Sequence, residues 1–200
     1  IKRFQDDPLP VIKLLEMLKE DESDYVYRSV ANNLNDISKD NPKIVISVLK
    51  EWNKSVNKNT KWIVRHAART LLKQGSIEAL EIFGYKKNPK LDATLDLKTN
   101  KVIAEQDLNF SLNIASKSGQ SQKLMIDYIV HFMKANGKTA PKVFKWSSRI
   151  ITKNENLVLT RKLAMKQRST RKLYVGAHRI EIMINGKIFD CKEFNLMSAS

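Results

Sequence analysis

The feature that most constrains the fold is a change in apolar period near Lys90. Up to about Asn88 the apolar residues recur at helical spacing, and beyond Lys90 they alternate every second residue. One chain cannot satisfy both periods in one layer, so the expected architecture is multidomain, α then β. Residues 1–88 are expected to form α-α solenoid repeats, and residues 89–200 an antiparallel immunoglobulin-like β-sandwich.

In the first segment Asp7-Pro8 opens a helix carrying Val11, Leu14, Leu15 and Leu18, because an acid and a proline both suit a first helical turn. Ser23 starts a second helix with the stripe Val26, Val30, Leu34, Ile37. Asn41-Pro42 repeats the first device and leads through Ile44, Val45, Val48, Leu49 and Trp52. Asn59-Thr60 leads into a fourth helix with Ile63, Ala67 and Leu71, stopping at Gly75, and a short fifth runs from Ser76 to Gly84. The two proline starts are 34 residues apart, the signature of a two-helix repeat. Two such units bury a continuous core poorly. Together with a start at Ile1-Lys2-Arg3-Phe4 rather than Met, this leads us to expect further repeats before residue 1.

In the second segment Leu91–Leu97, Leu108–Ile114 and His178–Ile184 alternate with period two. Lys123–Lys134, Val143–Thr152 and Leu157–Lys166 fit further strands, and Asn185-Gly186 signals a tight hairpin into Lys187-Ile188-Phe189. About seven strands without a convincing helix suggest a sandwich. Tyr174 is a candidate for the tyrosine that braces one corner of such domains.

The formal charge is +15, which calls for an anionic partner. The excess is uneven: 16 basic against 12 acidic residues up to Asn88, and 20 against 9 beyond it. Lys142, Lys145, Arg149, Lys153, Arg161, Lys162, Lys166, Arg168, Arg171 and Lys172 form a dense basic run with Trp146 nearby, read as a phosphate-contacting face. No apolar run is long enough to span a bilayer, and a single cysteine, Cys191, cannot form an internal disulfide. The expectation is a cytoplasmic monomer with no membrane association. Three scattered histidines and no glycine-rich phosphate loop give no metal site and no cofactor.

On the second helix Arg28, Asn32 and Asp36 follow at i, i+4, i+8, with Tyr25, Ser29 and Asn33 beside them. Guanidinium, amide and carboxylate in a line differ from the Lys and Glu of a solvated face. On the fourth helix Trp62, Arg65, His66 and Arg69 share one side, and arginine forks suit phosphate oxygens. Two plainer readings stand beside these: asparagines can ladder between repeats, and Trp62 and His66 can be packing residues.

The stretches Tyr25-Val26-Tyr27-Arg28-Ser29-Val30-Ala31-Asn32-Asn33-Leu34-Asn35-Asp36-Ile37-Ser38-Lys39 and Trp62-Ile63-Val64-Arg65-His66-Ala67-Ala68-Arg69-Thr70-Leu71-Leu72-Lys73 resemble the helical-repeat DNA alkylation repair glycosylases of the AlkC and AlkD group, closer to the AlkC branch. Some AlkC-type members also carry a C-terminal immunoglobulin-like domain. The resemblance covers residues 1–85 most specifically. It implies a monofunctional DNA glycosylase excising cationic alkylated bases such as 3-methyladenine from double-stranded DNA, without the usual base flipping. It also implies that residues 1–88 are HEAT-like α-α solenoid repeats and that Asp36 is the carboxylate of their concave surface, on which Arg28, Arg65 and Arg69 hold the backbone. Asn32, Asn33, Trp62 and His66 complete the expected DNA-binding set. The alternatives are a non-catalytic DNA-binding module and a protein-interaction scaffold.

Overall fold

The computed structural model describes residues 2–167 and 172–198. Arg168 and Arg171 of the basic run lie outside the described residues. The chain divides into two compact units, Ile1–Gly84 and Tyr85–Ser200.

The first unit contains α1 (Lys2–Asp6), α2 (Leu9–Leu18), α3 (Asp24–Asp40), α4 (Pro42–Trp52), α5 (Lys58–Ala67), α6 (Arg69–Lys73) and α7 (Ile77–Ile82). Pro8 and Pro42 stand at the starts of α2 and α4, where a missing N–H costs nothing, and Asp7 Oδ1 accepts the Leu9 amide at 3.1 Å. The fourth helix begins two residues earlier than a cap at Asn59 would place it. Its cap is Asn57, whose side chain accepts the amides of Asn59 (2.8 Å) and Thr60 (3.1 Å). It is also broken at Ala68, dividing the expected single helix into α5 and α6. The short α1 gives no periodic signal because five residues make little more than one turn.

Val30, Ala31, Leu34, Val45, Leu49, Trp52, Ile63, Val64, Ala67 and Leu71 form one buried core. Ties 36 to 41 residues apart in sequence cross from one helix pair to the next: Asn41 Nδ2 to the Gln5 carbonyl (2.7 Å), Asn59 Nδ2 to the Asp21 carbonyl (3.1 Å), Thr60 Oγ1 to the Lys19 carbonyl (3.1 Å), and Trp52 Nε1 to Glu16 Oε2. The first three satisfy carbonyls at the ends of α1 and α2 and in the loop after α2, and the fourth ends on a carboxylate.

The second unit is a two-sheet sandwich. β1 (Leu91–Leu97), β3 (Asp107–Ser116) and β6 (Asn156–Ala164) form one sheet in the order β1-β3-β6. β2 (Lys101–Ile103), β8 (Lys187–Met197), β7 (Gly176–Ile184), β4 (Gln122–Met133) and β5 (Thr139–Ile151) form the other, in that order. Leu95, Leu108, Leu112, Leu124, Ile126, Val130, Ile180, Ile182 and Phe194 fill the space between them. The pairing is antiparallel except that β2 runs parallel to β8, a three-residue strand that sequence alternation could not reveal. Asn185-Gly186 makes the expected hairpin, with φ of 48° and 78° as a type I′ turn requires. Asn185 does more than turn the chain: its buried side chain accepts the Met125 amide and donates to the carbonyls of Lys86 and Lys123.

Tyr174, the candidate corner tyrosine, lies three residues after positions 168–171, which are outside the described residues. Among the described residues its hydroxyl makes no hydrogen bond, and instead its carbonyl lies 3.0 Å from Nε2 of the buried His178. Tyr85 is anchored in this unit, buried, with its hydroxyl 2.7 Å from Ser148 Oγ.

Candidate nucleic-acid interface

The long helix α3 turns Val30, Ala31, Leu34, Asn35 and Ser38 into the core, which leaves Arg28, Asn32, Asn33 and Asp36 exposed. Residues four apart drift by only about 40° around a helix, so Arg28, Asn32 and Asp36 form one continuous exposed strip. Helix α5 buries Ile63, Val64 and Ala67, leaving Trp62 and His66 half-buried and Arg65 exposed.

Side-chain contacts join the two helices. The Arg28 guanidinium lies over the Trp62 ring, 5.4 Å from its centroid. His66 stacks almost parallel on Trp62 at 4.6 Å, and Tyr27 meets Trp62 edge-on at 5.0 Å. Arg69 Nη2 donates to Asn32 Oδ1 at 3.2 Å, and its Nη1 to the His66 carbonyl at 3.0 Å. The sequence-based set Arg28, Asn32, Trp62, His66 and Arg69 therefore comes together as one cluster. Both plainer readings hold in part, because Asn32 does ladder across helices and Trp62 and His66 do pack against each other.

The electrostatics follow from these contacts. Asp24 accepts the Tyr27 hydroxyl and the Arg28 Nε (2.7 Å), and the two bonds hold its carboxyl below the usual range. The same contacts raise the Arg28 and Tyr27 values. His66 is pushed below its ordinary value, first by desolvation and then by the positive charges of Arg69 and Arg28. These effects favour the neutral form of the imidazole.

The other expected residues sit at the margins. Arg65 is exposed, with no hydrogen bond or ion pair among the described residues. The Asn33 amide donates to the Ser29 carbonyl at 3.0 Å. Asp36 is 68% exposed and paired with Lys39 at 2.7 Å. It borders a groove of about 300 Å³ shared with Phe4, Gln5, Val11 and Asn33. The sequence reading missed two residues, Asp24 and Asn35. The first could have been found from its i, i+4 spacing to Arg28, whereas the second is buried and connects to a residue 35 positions later.

In the sandwich Lys142, Lys145 and Arg149 are exposed on the edge strand β5, and Arg161 and Lys162 on the edge strand β6. Trp146 sits at a bulge where β5 shifts register against β4, and touches Phe110, which pairs with Arg161. A groove of about 470 Å³ across β1, β3 and β6 includes Lys98, Asn109, Ser111, Thr160, Arg161 and Lys162. Among the described residues no group of His, Cys, Asp and Glu side chains could hold a metal ion, and no helix is long and apolar enough to cross a membrane.

Stacked helix pairs with a cationic-aromatic seam, followed by an immunoglobulin-like sandwich, define the class as helical-repeat proteins with an appended β domain. Residues 92–198 match the family described as uncharacterised protein YhaZ, C-terminal Ig-like domain. The chain belongs to this family and falls in the AlkC-type branch of the AlkC and AlkD group. It is 40% identical over 197 residues to the uncharacterized protein YhaZ of Bacillus subtilis, covering 98% of this chain and 54% of that protein. A solved structure, Pseudomonas fluorescens alkylpurine DNA glycosylase AlkC bound to DNA containing an abasic site analog, matches with a TM-score of 0.93 and 34% identity over 98% of this chain and 55% of that one. The chain spans about half the length of both relatives.

Proposed function

We propose that this chain supplies the DNA-gripping part of a glycosylase that removes cationic alkylated bases of the 3-methyladenine type from double-stranded DNA. The observation that carries the reading is the Arg28–Trp62–His66–Arg69–Asn32 cluster, found in a chain that resembles the DNA-bound AlkC over nearly its whole length. Arg28, Arg65 and Arg69 hold phosphate oxygens, and Asn32 and Asn33 offer amides along the same strip. Trp62 has His66 stacked on its ring and Arg28 over it, so it acts by orienting Arg28 rather than by stacking on a base.

The chemistry asks little of the protein. A purine carrying a positive charge departs as a neutral base when its N-glycosidic bond breaks, and water then forms the new bond to the sugar carbon and loses a proton. The sugar passes through an oxocarbenium-like state, which a nearby carboxylate stabilises. Asp36 takes that role in this reading, exchanging Lys39 for the sugar when DNA arrives. The reaction requires no metal or cofactor, and the protein works as a cytoplasmic monomer.

A second reading draws on the exposure of Asp36 and its pairing with Lys39: this half grips DNA, and the carboxylate comes from elsewhere in the protein. Release of base from methylated duplex DNA by the full natural polypeptide separates the two. With Asp36→Asn, a loss of on the order of 100-fold in release rate at unchanged affinity supports the catalytic role, by analogy with losing one strong electrostatic contact to a transition state. Unchanged release assigns this half to binding alone. Absence of any release from the wild type rejects the glycosylase reading.

A further inference from the structure

The interruption between α5 and α6 has an identifiable cause. Asn35, 3% exposed on the core side of α3, accepts two hydrogen bonds at Oδ1, from the Thr70 amide (3.2 Å) and the Thr70 hydroxyl (2.8 Å). In an unbroken helix the Thr70 amide would donate to the His66 carbonyl four residues back. Here the amide is diverted to α3, and the His66 carbonyl accepts Arg69 Nη1 instead. Arg69 Nη2 continues to Asn32 Oδ1, one turn before Asn35 on α3.

We infer that Asn35 is a positioning residue: by inserting its side-chain oxygen into the backbone ladder at Thr70, it frees the His66 carbonyl to anchor Arg69 at the rim of the cationic face. Side chains that enter a helical ladder are a recognised cause of kinks. A buried amide with both its bonds directed at one residue 35 positions away also does more than fill space. The local geometry stands by itself, and the consequence for DNA rests on the proposed function above. Without Asn35 the ladder can close, with the Thr70 amide returning to the His66 carbonyl. Helix is then preserved while Arg69 loses that acceptor. The device therefore separates a fold effect from a site effect, which an ordinary core asparagine would not do.

The test compares Asn35→Ala, Asn35→Asp and Arg69→Ala with the wild type. In the free protein, NMR of the Arg69 side chain should show an ordered guanidinium in the wild type and in Asn35→Asp, which keeps an acceptor oxygen. In Asn35→Ala it should become mobile while helical content is retained. Duplex affinity should fall in Asn35→Ala by the same factor as in Arg69→Ala, and the double variant should be no weaker than Arg69→Ala alone. An Arg69 side chain that stays ordered in Asn35→Ala overturns the inference, as does a fully additive double variant. If Asn35→Ala does not fold, Asn35→Ser, too short to reach α6, is judged on the same side-chain signal. If Arg69→Ala leaves duplex affinity unchanged, the DNA-binding reading of the face fails, and the NMR comparison still decides the role of Asn35.

Discussion

At the residue scale the cluster works through compensation. Arg28 is held between an acid, Asp24, and an indole, Trp62, so its guanidinium is oriented before any ligand arrives. His66 is the group in the cluster that can change charge near neutrality, and its proton affinity is held down by desolvation and by Arg69 and Arg28. A phosphate placed against those arginines offsets their repulsion and raises the His66 value in the complex. Because the value is higher bound than free, DNA binding takes up protons and tightens as pH falls from about 7.5 to 6. Affinity measured across that range should change several-fold more in the wild type than in His66→Asn. An identical pH profile in both would show that no phosphate comes near the imidazole.

At the scale of elements, caps and periods made most of the helices legible. Asp7-Pro8 and Asn41-Pro42 mark true starts because proline tolerates only the first turn, and the apolar stripe of α3 is the buried one. The fourth helix shows the limit of such reading. Asn57, Asn59 and Thr60 are all plausible caps by residue type, and only the hydrogen bonds of the Asn57 side chain to both following amides select among them. Replacing Asn57 with Ala should lower stability by about 1 kcal/mol, measurable by urea unfolding, while Asn59→Ala costs only its single tie to the Asp21 carbonyl. Equal losses would mean that the cap bonds carry no special weight. The break at Ala68 was not legible, since its cause is a side chain brought in from α3. The same holds for β2, whose three residues pair with a strand more than 90 positions away.

At the scale of the whole molecule, the change of period near Lys90 foretold the two layers, and the structure separates its compact units a few residues earlier, at Gly84 and Tyr85. Tyr85 belongs to the second unit because its buried ring and hydroxyl are held there, something no period could indicate. The charge excess was legible as a quantity and only partly as a place. Lys142, Lys145 and Arg149 are on one sheet edge and Arg161 and Lys162 on another, which alternation along each strand could not reveal. The cluster on α3, α5 and α6 was legible because helical spacing fixes faces, yet its internal bonds were not. The exposed, Lys39-paired state of Asp36 was equally hidden, since i, i+3 spacing permits an ion pair without requiring one.

The most direct measurement is the salt dependence of duplex binding, comparing the wild type with the double variant Arg28→Ala/Arg69→Ala. Two lost phosphate contacts should weaken affinity for every duplex sequence alike and flatten the slope of log affinity against log salt by about 2. A slope and affinity indistinguishable from the wild type would contradict the claim that this face holds the DNA backbone.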